Sequence, residues 1–166
     1  MTRPGVRLLR WASGIMIVLG AGHLSLLAVF SWTDIAGWAG RGVWAAVPLD
    51  LAGAEVTAAA LRNALTFWAG PGSFAVPLIL LGCLTWHLAG RGVSVPAWLG
   101  WGLAVWCLVG GVLLVPSPYF VGAIAGVLVV LAKRRQDRAD REGRKGRADR
   151  TDRTDRATTA PATFDR

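Results

Sequence analysis

Charge is what most of this 166-residue chain lacks: Met1 to Ala132 carries nine ionised side chains, against nineteen between Lys133 and Arg166. A soluble domain carries roughly 25% charged residues, so a body this poor in them could not cover its surface in water. Cysteine is scarce too. Cys83 and Cys107 form no CxxC pair and have no matching histidine or carboxylate set, which excludes a zinc site, and two apolar-flanked thiols behave as small hydrophobes. No carboxylate falls inside the long uncharged runs, which weighs against proton-coupled transport. Gly37, Gly40 and Gly42 open no helix after a strand and so form no phosphate cradle. With no Ser/His/Asp or Cys/His arrangement either, no catalytic residue, metal or cofactor is assigned.

What remains is apolar: most side chains from Met1 to Ala132 belong to the A, V, I, L, M, F, W, Y, C set. A bilayer crossing needs about 20 mostly apolar residues, and three uncharged intervals are long enough: 11–33, 63–90 and 92–132. The third is too long for one helix and is broken by Pro116-Ser117-Pro118, which removes two backbone donors and favours a hairpin between two helices. The expected fold is therefore all-α, a membrane bundle of four transmembrane helices over about 8–30, 72–89, 96–115 and 118–132. The first apolar run is longer than the ~7–15 residues of a secretory signal, so it is expected to be retained.

Lysine and arginine set the orientation. Arg3, Arg7 and Arg10 precede the first span, Arg91 lies between the second and third, and twelve basic residues follow Ala132. Both termini are thus expected in the cytoplasm. Tryptophan, which prefers the interface, agrees: Trp11, Trp86, Trp98 and Trp101 fall at inner ends, and Trp32, Trp38, Trp44 and Trp68 at outer ones. Between spans one and two, Asp50 to Trp68 reads as one amphipathic helix, with Glu55, Ala59, Arg62 and Thr66 on one stripe and Leu51, Ala58, Leu61, Leu65 and Trp68 near another. Such a helix either lies on the outer lipid face or caps the bundle.

Ionisable groups inside or beside a span are functional candidates by default. His23 leads them, as a ligand, a proton relay or a partner of Glu55, with Arg62 the remaining charge able to approach; the plain alternative is an imidazole bonded to a neighbouring carbonyl. His87 sits too far inward to share a metal with His23, about 16 Å away in depth, and belongs to the inner aromatic belt. Gly122 and Gly126 make a GxxxG, equally suited to packing within one chain or between two.

The segment from Lys133 to Arg166 is Arg/Asp-rich and low in complexity, with twelve basic against seven acidic side chains. Pairs such as Asp137 and Arg141 add only ~0.2–0.5 kcal/mol each, so residues 133–166 are expected to form a disordered cytoplasmic tail. Lys133, Arg134 and Arg135 are placed against anionic lipid headgroups, and the interleaved aspartates argue against nucleic acid as a partner.

Gly22-His23, Phe67-Trp68 with Gly72-Ser73-Phe74 and Pro77, Pro96 through Gly100-Trp101, and Pro116-Ser117 together give residues 8–132 a likeness. The chain resembles a family of small bacterial four-helix membrane proteins known only as a domain of unknown function. That resemblance implies the fold and the membrane, and lends no catalytic residue. The function expected is a non-enzymatic scaffold or accessory subunit of the cytoplasmic membrane, partnered by lipid and by a second copy or another membrane protein. An oligomeric small-solute carrier or channel, and a membrane-embedded enzyme or cofactor binder, are the alternatives.

Overall fold

The computed structural model describes residues 5–41, 57–113 and 118–159. Among them are six α-helices and no strand: α1 (Val6–Phe30), α2 (Trp32–Arg41), α3 (Ala58–Ala69), α4 (Ala75–Gly90), α5 (Ala97–Leu113) and α6 (Tyr119–Thr159). The all-α expectation holds. Of these helices, α1 alone is long and apolar enough to cross a membrane by length and composition, while α4 and α5 are shorter apolar helices.

The four apolar helices meet through stripes of small residues. On α1 the buried positions are Val6, Leu9, Ala12, Ser13, Met16 and Gly20, and on α4 they are Ala75, Leu78, Gly82, Thr85 and Ala89. Both stripes recur every three or four residues, the spacing of one helical face. A Cβ at Gly20 would lie 2.7 Å from the Ala75 carbonyl oxygen, and one at Gly82 would lie 3.1 Å from that of Ser13, so α1 and α4 run antiparallel with touching backbones. The pair α5 and α6 repeats this device at Gly100 and Gly126. α1 also packs along α6, whereas α4 and α5 barely meet, so the spatial order is α4, α1, α6, α5.

Large apolar side chains point the other way. Val18, Leu26, Val29, Leu80, Leu84, Val105, Val112 and Ile124 are all exposed, and Phe30 and Leu113 retain 82% and 75% of their surface. Gly92, between α4 and α5, has φ +68°, and with Gly92 N–H on the Ala89 carbonyl and Val93 N–H on that of Leu88 it closes α4 in a left-handed cap.

Three expectations need correction. The helix expected from Asp50 starts at Ala58, because Thr57 is extended (φ −70°, ψ 149°) and its side chain accepts the Ala60 N–H, a helix start; residues 50–56, with Glu55, lie outside the described residues. Helix α2 is an addition to the expected set, since ten residues with two internal glycines give a weak helical signal; tertiary packing supplies the rest, with Trp38 buried and its ring 6.3 Å from Phe67.

The third concerns the tail, which is helical to Thr159 instead of disordered. Starting a helix is the costly step, and residues 119–132 already supply the nucleus, so each added residue gains a hydrogen bond without paying for initiation. No proline interrupts before Pro161. The Lys133 ammonium donates to Asp137 at 2.7 Å, an i,i+4 pair on the first turn beyond the bundle. An isolated peptide of residues 133–159 should consequently give a mostly coil circular dichroism spectrum; strong helicity in the free peptide would refute the nucleation account.

Candidate functional site

Every helix run ends by exposing carbonyls that need partners, and the end of α3 is where His23 is engaged. α3 stops at Gly70, whose N–H bonds the Thr66 and Phe67 carbonyls, while Gly72 N–H bonds Phe67 again. Ser73 Oγ donates to the Gly70 carbonyl at 2.6 Å and accepts the Ala75 N–H at 3.2 Å, tying the turn to the start of α4. That leaves the carbonyl of Ala69. His23 Nε2 lies 2.7 Å from it, across 46 residues of sequence. A carbonyl oxygen has no proton, so Nε2 is the donor, and in a neutral ring Nδ1 is then an acceptor.

His23 therefore pins α3 to α1. Of the roles expected for it, the carbonyl-bonded imidazole is what the geometry contains. Arg62 is exposed on α3 and does not approach His23's cavity, so His23 and Arg62 form no joint site. His87 is exposed near the far end of α4, nine residues beyond Leu78, or about 13 Å along the axis. Its neighbour Trp86 lies under the Arg10 guanidinium, 5.8 Å from the ring centre, joining the matching ends of α1 and α4.

Beside the His23 bond lies a cavity of about 450 Å³. α1 contributes Leu19, Gly20 and His23; α3 contributes Trp68 and Ala69; the start of α4 contributes Phe74 and Leu78. Cys107 of α5 and Tyr119 and Gly122 of α6 complete it, so all four packed helices take part. Among the described residues, no Asp, Glu, Lys or Arg lines it. Its aromatic walls are braced from behind: Phe74 lies 5.8 Å from Trp106, and Trp68 meets Phe67 edge to face at 5.4 Å. Sequence reasoning missed this cavity: Trp68 read as an interfacial aromatic, Phe74 only as part of a motif and Cys107 as a small hydrophobe. The signal available was that Trp68, Phe74 and Tyr119 each fall within one residue of a helix end.

The remaining candidates separate. Gly122 and Gly126 are both buried in the α5/α6 seam of the same chain, where a Gly122 Cβ would sit 2.7 Å from Cys107 Sγ. Of the headgroup residues, Arg134 and Arg135 are exposed, but Lys133 is partly buried and paired with Asp137. Among the described residues no three His, Cys, Asp or Glu side chains gather as metal ligands.

No curated protein and no solved structure matches the chain. A family model does, over residues 7–137, which takes in every helix that lines the cavity and ends at the partner of Lys133. The chain belongs to the family of unknown function DUF6463.

Proposed function

We propose that the chain is a multi-pass protein of the cytoplasmic membrane, crossed by α1, α4, α5 and the apolar first part of α6, and that it serves there as a non-enzymatic scaffold or accessory subunit. One observation carries the reading: Gly, Ala and Ser bring the helix backbones together around a narrow core of Leu9, Met16, Leu78 and Leu103, while many other Leu, Val, Ile and Trp side chains face outward. In water each outward large side chain forgoes about 1.5–3 kcal/mol of burial. In lipid the penalty vanishes, and close approach of backbones at Gly, Ala and Ser becomes the main source of helix association.

α4 and α5, with 16 and 17 residues, rise about 24 and 26 Å. That is short of the ~30 Å hydrocarbon core, a mismatch met by local thinning and by the Trp and Arg residues at the helix ends. The exposed Leu61, Leu65 and Trp68 of α3 suit a helix lying at the outer interface. Arg134 and Arg135 then reach anionic headgroups at the inner one. The accessory role is supported by the polar groups around the cavity: Ser73 and His23 Nε2 are committed to closing helix ends, which is structural work.

Two measurements test this. Alkaline phosphatase, active only outside the cytoplasm, should be inactive when fused after Arg135 and active when inserted after Gly70; the reverse pattern would discard the topology. Solubilised in mild detergent, the protein should migrate with a second membrane protein or with further copies of itself. Migration as a lone monomer in every mild detergent would refute the accessory role.

A further inference from the structure

We propose that the cavity beside the His23–Ala69 bond binds one uncharged aromatic alcohol, its hydroxyl donating to Nδ1 of His23 and its ring held among Trp68, Phe74 and Tyr119. The proposal goes beyond the scaffold reading and does not rest on the four-span topology, because the cavity lies within the helix packing itself.

Three features select this ligand class. The first is volume. About 450 Å³ falls in the range of small-molecule pockets. A single turn of helix with its side chains fills roughly 400 Å³ or more, so an inserted helix of a partner would fit at most one turn. The second is charge. The described lining residues include no Asp, Glu, Lys or Arg and so offer a carboxylate or an ammonium no counter-ion, and an unpaired charge taken out of water is costly.

The third is the pattern of unspent hydrogen-bonding groups. Ser73 Oγ already donates to Gly70 and accepts from Ala75. His23 Nε2 is spent on Ala69. With the proton on Nε2, Nδ1 of a neutral ring is an acceptor, and a hydroxyl is the smallest uncharged donor that satisfies it. The carbonyl bond thus selects the tautomer that makes His23 receptive to a donor.

The walls favour a ring over a flexible chain. Trp68 is held edge to face by Phe67, itself 6.3 Å from the buried Trp38, and Phe74 is held against Trp106. Aromatic faces fixed in advance stack on a rigid ring without further ordering cost. His23 and Trp68 are both exposed, placing the hydroxyl acceptor and one stacking face at the open side, where a ligand would enter.

Photolabelling of the full chain in detergent tests this with three analogues: 4-(hydroxymethyl)benzophenone, 4-methylbenzophenone and 4-carboxybenzophenone. The alcohol should label saturably, about five- to tenfold more tightly than the methyl analogue, on peptides containing Trp68, Phe74 or Tyr119, and the carboxylate should not saturate. Excess 1-naphthol should displace it and excess dioleoylglycerol should not. His23→Leu, which removes both Nδ1 and the bond to Ala69, should leave the alcohol and the methyl compound with equal affinities when both are measured on that variant. Equal labelling by all three analogues, adducts elsewhere in the chain, displacement by the glyceride alone, or a His23→Leu protein that still prefers the alcohol would each overturn the proposal. Should that variant fail to fold, the comparison of analogues on the unaltered chain decides alone.

Discussion

Gly126→Leu should abolish assembly of the helix bundle. A Cβ at this position would lie 2.6 Å from the Ala104 amide nitrogen and 2.6 Å from the Gly100 carbonyl oxygen, both backbone atoms of α5. Neither can step aside by changing rotamer. Even Gly126→Ala must push the two helices apart, at about 1–3 kcal/mol for overpacking, and four side-chain carbons leave no room for the pair to close. Gly100 faces Gly126 from the other helix, its own Cβ position 2.7 Å from the Gly126 carbonyl, so no neighbouring side chain can be trimmed to compensate. The matched control is Gly102→Ala on α5, where nothing lies within 4 Å; it should be neutral or slightly stabilising, by up to about 1 kcal/mol from helix propensity. Thermal unfolding followed by circular dichroism in one detergent separates the two, and an unchanged melting temperature for Gly126→Leu would discard the packing described for α5 and α6.

The second large effect is expected at Gly82→Leu, and its consequence is different. A Cβ there would meet Ile17 Cγ1 at 2.7 Å, the Ser13 carbonyl oxygen at 3.1 Å and the Ile17 amide nitrogen at 3.2 Å. Ile17 could rotate away, but the two backbone atoms could not. Because α1 is the neighbour on which α4 packs, this substitution should release α4 while leaving α1, α6 and α5 together. Hydrogen exchange should then rise over 75–90 and stay low over 119–130. Uniform loss of protection would mean that α4 is more deeply integrated than its contacts indicate. Gly14→Ala, on α1 with nothing within 4 Å, is the neutral control.

Glycine at these seams was legible only in part. The GxxxG of Gly122 and Gly126 stands out in the sequence, yet its spacing fits a partner helix from the same chain or another. Gly20 and Gly82 have no such spacing at all, and their role emerges only where α1 and α4 cross. His23 was legible as a polar residue in an apolar run. Its partner was not, since the Ala69 carbonyl is a backbone atom 46 residues away and no side-chain pattern encodes it. The sequence offered Glu55 as a side-chain partner and a neighbouring carbonyl as the plain alternative, without identifying which carbonyl.

Apolar periodicity and charge placement were sufficient for the main helices. The intervals 8–30, 72–89 and 96–115 lie within three residues of α1 (Val6–Phe30), α4 (Ala75–Gly90) and α5 (Ala97–Leu113) at either end. A helix boundary is a local event, set by proline, glycine and capping groups within a few residues. Where the deciding term was not local, the letters were silent or misleading. α2 exists through the burial of Trp38, the extension of α6 through a nucleus supplied by the bundle, and the cavity through four helices and the end of α3 converging on one place. Sequence alone thus determined where the apolar helices α1, α4 and α5 lie, because apolar runs and their breaks follow from the residues within a turn or two. Tertiary structure alone decided which helices touch, that α4 and α5 stay apart, and that His23 spends Nε2 on the Ala69 carbonyl of α3, because those outcomes depend on atoms brought together from distant parts of the chain.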